Sequence, residues 1–474
     1  MKKTIAILVL LAMLLSIAAC TVAPPETGEN SGGETPENQG NQDIGSGGGT
    51  GEKPGKTEPK VFDQTATIEE TVLWDKNNVK ITATDLTYGN YSAELELLIE
   101  NNSEEELSFV SGSVGYDRNS VNGYMAADGF LSCDVAAGKK AMDTIAFSYS
   151  ELMLYGIYVI ADIEIGFDIE DKDYNDTYTG PLPIKTSAAE TYDYETPHYR
   201  NTIAGKDTQL EYGYTVPYFS DAVCYAEKGL TIASSVLMTN EDGEELLLLE
   251  VVNDSEKTVF VNSENIRFND LLVCSSTWSC DAIVAGKTGI VSIGLSSVLE
   301  AEFYAAYGID KIGAISVDLT FTDEKNKTVA PATTVTVAVP GRETAFDQAG
   351  VVAYDKGGVY IVSKGIYEDP STYSDDLHLL LLVQNNAGRT IKLDDVSSSL
   401  SVNDFMVAYI FYTQTVEDGD WVAVDVELMG YSLEDVKISL PTEIQTLELG
   451  ISIKTENYKE LDTADICLTF AAEE

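Results

Sequence analysis

The chain states one motif three times, and that repetition limits the fold more than any other feature. VLWDKNNVKIT at 72–82, VCYAEKGLTIA at 223–233 and VAYDKGGVYIV at 352–362 share a length and an aromatic residue at the third place. Small or amide residues that tolerate positive φ, flanked by alternating apolar residues, predict a tight hairpin. Each hairpin leads into an apolar strand that ends at an asparagine: AELELLIENNS at 93–103, ELLLLEVVNDS at 245–255 and HLLLLVQNNA at 378–387. A fixed internal period is read before anything else, because each copy is one structural unit.

The copies then stay in step. Asn122-Gly123, Asn269-Asp270 and Asn403-Asp404 mark a second turn, and Ala137-Gly138-Lys139, Ala285-Gly286-Lys287 and Glu417-Asp418-Gly419 a third. SYSE at 148–151, SVLE at 297–300 and SLED at 432–435 carry a serine with an acid three residues on, which predicts a helix start. Gly156 and Gly308 are placed to stop that helix. ISVDLTF at 315–321 and LELGISI at 447–453 alternate as strands do. About seven or eight short strands and one short helix per copy predict an antiparallel sandwich. The expected fold class is all-β, with three tandem antiparallel β-sandwich domains after a signal peptide and a disordered linker. In strand order and turn placement the copy resembles the immunoglobulin-like sandwiches found in tandem in bacterial surface lipoproteins. The expected segments are 1–19, 20–60, 61–190, 191–345 with an aromatic lead-in, and 346–474, each repeat being held by its own core.

The N-terminus carries a second resemblance. Lys2 and Lys3 precede an apolar run from Ile5 to Leu15, which is shorter than the roughly 20 residues of a membrane span. It ends in Ile17-Ala18-Ala19-Cys20, which resembles the lipobox of bacterial lipoproteins. That resemblance implies cleavage before Cys20 and a diacylglyceryl group on its sulfur, so that lipid on Cys20 is the contact with the membrane. Stable attachment takes two or more acyl chains. The implied location is the extracytoplasmic face of a bacterial membrane. Residues 21–60 are built from Gly, Pro, Glu, Thr, Asn and Gln and offer too little apolar surface to fold. As a coil, forty residues span about 35 Å.

Composition then excludes partners. A formal charge of −49 with two histidines argues against nucleic acid and anionic lipid headgroups, which are bound through Lys and Arg. The same charge serves either solubility or the retention of divalent cations. After Cys20 the cysteines are Cys133, Cys224, Cys274, Cys280 and Cys467, an odd number that rules out complete pairing. Cys274 and Cys280 are placed to meet across a hairpin or to remain buried thiols. His198 and His378 fall in different repeats, and no G-x-S-x-G or H-E-x-x-H occurs, so no catalytic constellation is legible.

Two stretches are candidate sites. DIEDKDYND at 168–176 opens like a calcium loop, with Asp168, Asp171, Asp173, Asn175 and Asp176 as oxygen donors. It lacks glycine at the sixth place and glutamate at the twelfth, so calcium competes with a plain hairpin tip. The lead-in at 192–219 crowds Tyr192, Tyr194, Tyr199, Tyr212, Tyr214 and Tyr218, which suit a glycan or protein ligand or else pack between repeats. The reading is a non-enzymatic surface binding or structural module without a cofactor. A cell-wall glycan or surface protein is its expected partner. A calcium-stabilised rod is the alternative, and a cell-envelope hydrolase follows behind.

Overall fold

The computed structural model describes residues 61–112, 119–205, 215–239, 245–295, 301–370 and 374–470, without the side chains of 274–280, 301 and 302. The signal segment, Cys20, the linker, Tyr212, Tyr214 and the serine box at 297–300 lie outside the described residues. The chain is an all-β protein of layered, chiefly antiparallel sheets, with residues 58–474 in one compact unit.

Each repeat begins with its hairpin. Asn77 and Asn78 sit at φ 54° and 57°, Lys228 and Gly229 at 53° and 82°, and Gly357 and Gly358 at 64° and 85°. Two consecutive left-handed residues are what a two-residue hairpin turn requires. In the first repeat Thr71–Lys76, Val79–Tyr88, Ser92–Asn101 and Lys139–Ser148 form one sheet in that order, and Val351–Lys356, Val359–Glu368, Leu377–Asn385 and Trp421–Leu428 repeat it in the third. Alternation explains the layers. Ala93, Leu95, Leu97 and Ile99 are fully buried, while Glu94, Glu96 and Leu98 face the other way. Three hydrophobic clusters result, one centred on each repeat.

Two asparagines pin each repeat. Asn101, Asn253 and Asn385 are fully buried. The Nδ2 of each donates to two carbonyls, on Glu105 and Val135, on Lys257 and Ile283, and on Arg389 and Val416. The second set, Asn122, Asn269 and Asn403, sits at φ near 50° and turns its Oδ1 onto two backbone N–H groups each. A buried amide satisfied on both sides fixes register as well as adding stability.

Helix α1 (Tyr149–Leu154) begins where its serine box places it, helix α2 (His198–Ala204) lies in the lead-in, and helix α3 (Gly430–Asp435) begins two residues before Ser432. The two described boxes do other work than capping. Ser148 makes no capping bond, and Glu151 instead accepts from Ala127 N, Asp128 N and the Tyr155 hydroxyl. Ser432 Oγ accepts from Ala408 N. The stops are as expected, with Gly156 at φ 76° and Gly308 at 71°, and Lys437 at 62° fills the third place. Cys274 and Cys280 are not across a hairpin from each other. They lie six residues apart on one strand, Leu271–Ile283.

The repeats are not closed units. Tyr124 of the first repeat pairs in parallel with Thr288 of the second, and Leu271 and Leu272 pair with Trp421 and Val422 of the third. Two nine-stranded sheets therefore run from one repeat into the next. Met125, 6% exposed, belongs to the second cluster, and Leu272, 1% exposed, to the third. The expectation of self-sufficient cores is corrected on this point. Alternation puts every second side chain on the outer face of the sheet, and in the later repeats that face is also apolar. Leu248 and Val236 pack into the first cluster, and Leu380 and Leu382 into the second.

Candidate functional site

The acidic loop is a hairpin tip. Asp171 Oδ1 accepts from the backbone N–H of Asp173 (2.8 Å) and Asn175 (3.0 Å), and Asn175 Nδ2 donates to Asp171 Oδ2 (3.0 Å). These bonds, the Asn175 amide first, hold the Asp171 carboxyl below its ordinary range. Asp323 does the same in the second repeat, accepting from Lys325 N and Lys327 N, and Thr455 Oγ1 accepts from Lys459 N in the third. Asp168 and Asp176 are strand residues, at opposite ends of the three paired positions Asp168–Glu170 and Asp176–Tyr178. Among the described residues no three carboxylate, histidine or cysteine side chains converge as a cation needs.

The tip borders a cleft at the end of the first sandwich, about 250 Å³ in volume, lined by Trp74, Asn77, Glu105, Asp171 and Asn175 among others. A cleft of about 500 Å³ occupies the same place on the second repeat, between Lys228, Asp254, Lys257, Asp323 and Lys327. The aromatic at the third place of each hairpin motif distinguishes them. Tyr225 donates to Pro331 O and Tyr354 to Asp462 Oδ2. The Trp74 Nε1 is buried and has no acceptor among the described residues. The Lys76 ammonium stands 4.5 Å from the centre of the Trp74 ring, so a polar ligand that takes up the unmatched N–H would meet the indole beside that cation, in a cleft that two carboxylates and two amides also line.

The tyrosine lead-in takes the packing role at three of its four described positions. Tyr199 is fully buried in the first cluster, which removes it as a ligand contact. Its ring lies 6.4 Å from Tyr155, which is 5.9 Å from Tyr124 at the junction. Tyr192 packs against Tyr194 and His198 at 4.9 and 5.0 Å, and Tyr218 packs on the second cluster. Tyr194 alone among the described four is exposed, by 48%.

The same junction holds buried charge that the sequence did not single out. Glu250 Oε2 is 3.1 Å from Arg200 Nε and accepts from Ser234 Oγ at 2.9 Å. Burial raises the Glu250 carboxyl above its usual value despite both partners. Burial also pushes Glu151 and Asp281 up to about 6, with the Asp128 charge adding to Glu151. Between the second and third repeats, burial opposes protonation of His378, but its bonds to Asp425 (2.9 and 3.0 Å) win and raise its pKa. The ring stands 4.8 Å from Phe303 of the preceding repeat. A hydrophobic position inside HLLLLVQNNA gave the only signal for this site, a histidine where an aliphatic residue would serve.

No protein-family model matches the chain, and no curated protein matches it. Solved structures are similar only remotely. A bacterial ice-binding adhesin, described for its retention on the host cell surface, is 12% identical with a TM-score of 0.13, over 80% of this chain and 90% of that one. The BSP domain of a biofilm-associated protein is 10% identical at 0.14, over 88% and 68%. A red sea bream transglutaminase is 11% identical at 0.14 over 55% of this chain, which spans only 31% of the enzyme. Likeness at this level carries no argument about function.

Proposed function

We propose that the protein is a membrane-anchored extracytoplasmic lipoprotein whose three repeats form a non-enzymatic surface module, with the cleft of the first repeat as its binding site for a glycan or protein ligand. The observation that carries the binding site is Trp74, whose buried N–H is unmatched and which lines one cleft with Glu105, Asp171, Asn77 and Asn175. An aromatic plane bordered by amides and carboxylates suits hydroxyl-rich or peptide ligands. The anchor rests on Cys20 and the residues before it. Soluble cell-wall glycan fragments titrated into the protein should shift its tryptophan emission, and Trp74→Phe should remove the shift. An unchanged spectrum at saturating fragment would sink the glycan form of the proposal. Cys20→Ser should free the protein from the membrane fraction or leave the precursor uncut, and continued lipid labelling would contradict the anchor.

The calcium-stabilised rod draws support from the charge of −49 and the acidic tip at 168–176. Thermal melts with calcium and with chelator separate it from the leading reading, because a rod of that kind melts higher in calcium. Release of reducing ends or peptides from cell-wall material by the purified chain would favour the hydrolase instead.

A further inference from the structure

The two internal junctions define what their shared surface accepts, and among the described residues both ends of the array carry that surface uncovered. Tyr124 and Met125 follow the turn asparagine of the first repeat, and Leu271 and Leu272 follow that of the second. Both pairs are handed to the next repeat. Phe405 and Met406 follow Asn403 in the third repeat. They form the outermost strand of their sheet and are 55% and 58% exposed. The receiving strand has an uncovered counterpart too. Thr288 and Trp421 each pair with the residue before the buried asparagine, Val252 or Gln384, and Lys140 pairs with Glu100 in the same place. Lys139–Ser148 is the outermost strand of the first sheet, and its Met142 is 61% exposed.

Charge matches the two free edges. At the first junction Lys287 of the receiving strand reaches Glu164 of the donating repeat at 3.2 Å. Lys139 holds the place of Lys287, since each pairs with its repeat's buried asparagine. Glu448 holds the place of Glu164, two residues beyond the N–H group that bonds the turn asparagine. Both Lys139 and Glu448 are exposed.

We propose that a second copy of this chain covers these edges, head to tail. Phe405 and Met406 of one copy pair in parallel with Lys140 and Ala141 of the next, and Glu448 meets Lys139. Such a contact is heterologous and leaves a free edge at each end, so it extends into strings. It is weaker than the internal junctions. The first repeat turns Glu94 and Glu96 outward where the second turns Leu246 and Leu248, so less apolar surface is buried, and the −49 charge of each copy opposes association most at low salt. The proposal needs neither the anchor nor the cleft ligand.

The test uses the full chain with every cysteine, Cys20 included, replaced by serine. Copies carrying Phe405→Cys are mixed with copies carrying Lys140→Cys under mild oxidation. A disulfide between unlike copies, absent from either variant alone, is expected, because opposed positions on paired strands lie within bridging distance. Bridging of Phe405→Cys copies with each other means tail-to-tail pairing and overturns the proposal, as does no bridging. Sedimentation of the chain with its native cysteines gives an independent reading. Average mass should rise with concentration at physiological salt, and Lys139→Glu should abolish the rise. Copies carrying Lys139→Glu mixed with copies carrying Glu448→Lys should restore it. A mass that stays monomeric at every concentration overturns the proposal.

Discussion

Between the first and second repeats a lysine of the later repeat reaches back to a glutamate, Lys287 to Glu164. Between the second and third the signs reverse, and Asp420 of the later repeat takes Arg267, which also holds Asp318 at 3.1 Å. Around these pairs the filling differs as well. The first junction is padded by helix α2, with Tyr199 and the Arg200–Glu250 pair. The second is closed by Trp421 against Phe346 and Tyr360, and by the Tyr307 hydroxyl donating to Leu381 O. The strand pairing that joins neighbours is common to both, while the side chains around it are not. Backbone pairing is the same for any repeat and so cannot say which follows which. Opposed charge and unlike filling supply that order.

The largest effect should come from the residue lent to the neighbour's core. Leu272→Ala should cost about 2–5 kcal/mol in urea unfolding, the range for a truncated buried leucine. Met125→Ala should cost less, because a thioether fills an adaptable gap. Equal losses would mean that the two joints are equally well packed.

Next is the buried ion pair of the first junction. Arg200→Ala strands the Glu250 carboxylate in the interior and should cost about 1–3 kcal/mol. Adding Glu250→Gln should recover part of that loss. If it recovers none, the arginine acts by packing alone.

Acidity separates the junctions further, on a scale of about 1–2 kcal/mol. Glu151 and Asp281 bind protons in the folded state up to about pH 6, above the ordinary carboxylate range. The first junction therefore gains stability as pH falls from about 6 toward that range, and Glu151→Gln should flatten the gain. Despite its burial, the His378 imidazole is raised above the ordinary histidine value of about 6.5 by its bonds to Asp425. Its contribution is present in full below that value and lost as pH rises through the higher folded one. His378→Gln should remove this second window and leave the first.

The smallest effect should belong to the first junction's outer pair. Lys287→Glu should cost about 0.5–1 kcal/mol, and Glu164→Lys in the same chain should restore it. A double variant no better than the single one would deny the pair its role in ordering the repeats.

Much of this fold could be read from the chain because local chemistry repeats with it. The hairpins at 77–78, 228–229 and 357–358 follow from residues that accept positive φ, and the strands from alternation. What crosses between repeats was not legible, since Met125 and Leu272 look like ordinary core residues of their own strands. In ELLLLEVVNDS the unbroken apolar run did hold a clue. A sheet with one wet face alternates, as AELELLIENN does, whereas a sheet covered on both faces does not. The candidate sites divided on similar grounds. The 168–176 segment spends its Asp171 carboxylate on its own N–H groups, and Tyr199 lies fully buried. The cleft at Trp74 draws its lining from segments far apart in sequence, which no local pattern announces.

Of the three turns that precede a junction strand, only the first is Asn-Gly, the pair most prone to spontaneous loss of the side-chain amide through attack by the following backbone nitrogen. Here that amide is clamped, with Asn122 Nδ2 on Val159 O at 2.8 Å and Oδ1 held by Ala161 N at 2.7 Å. Cyclisation needs the side chain to swing free, so the reaction waits for the joint to open. Aspartate at position 122 is then a record of past opening rather than of elapsed time. Peptide mapping after storage, folded or in urea, would read that record directly.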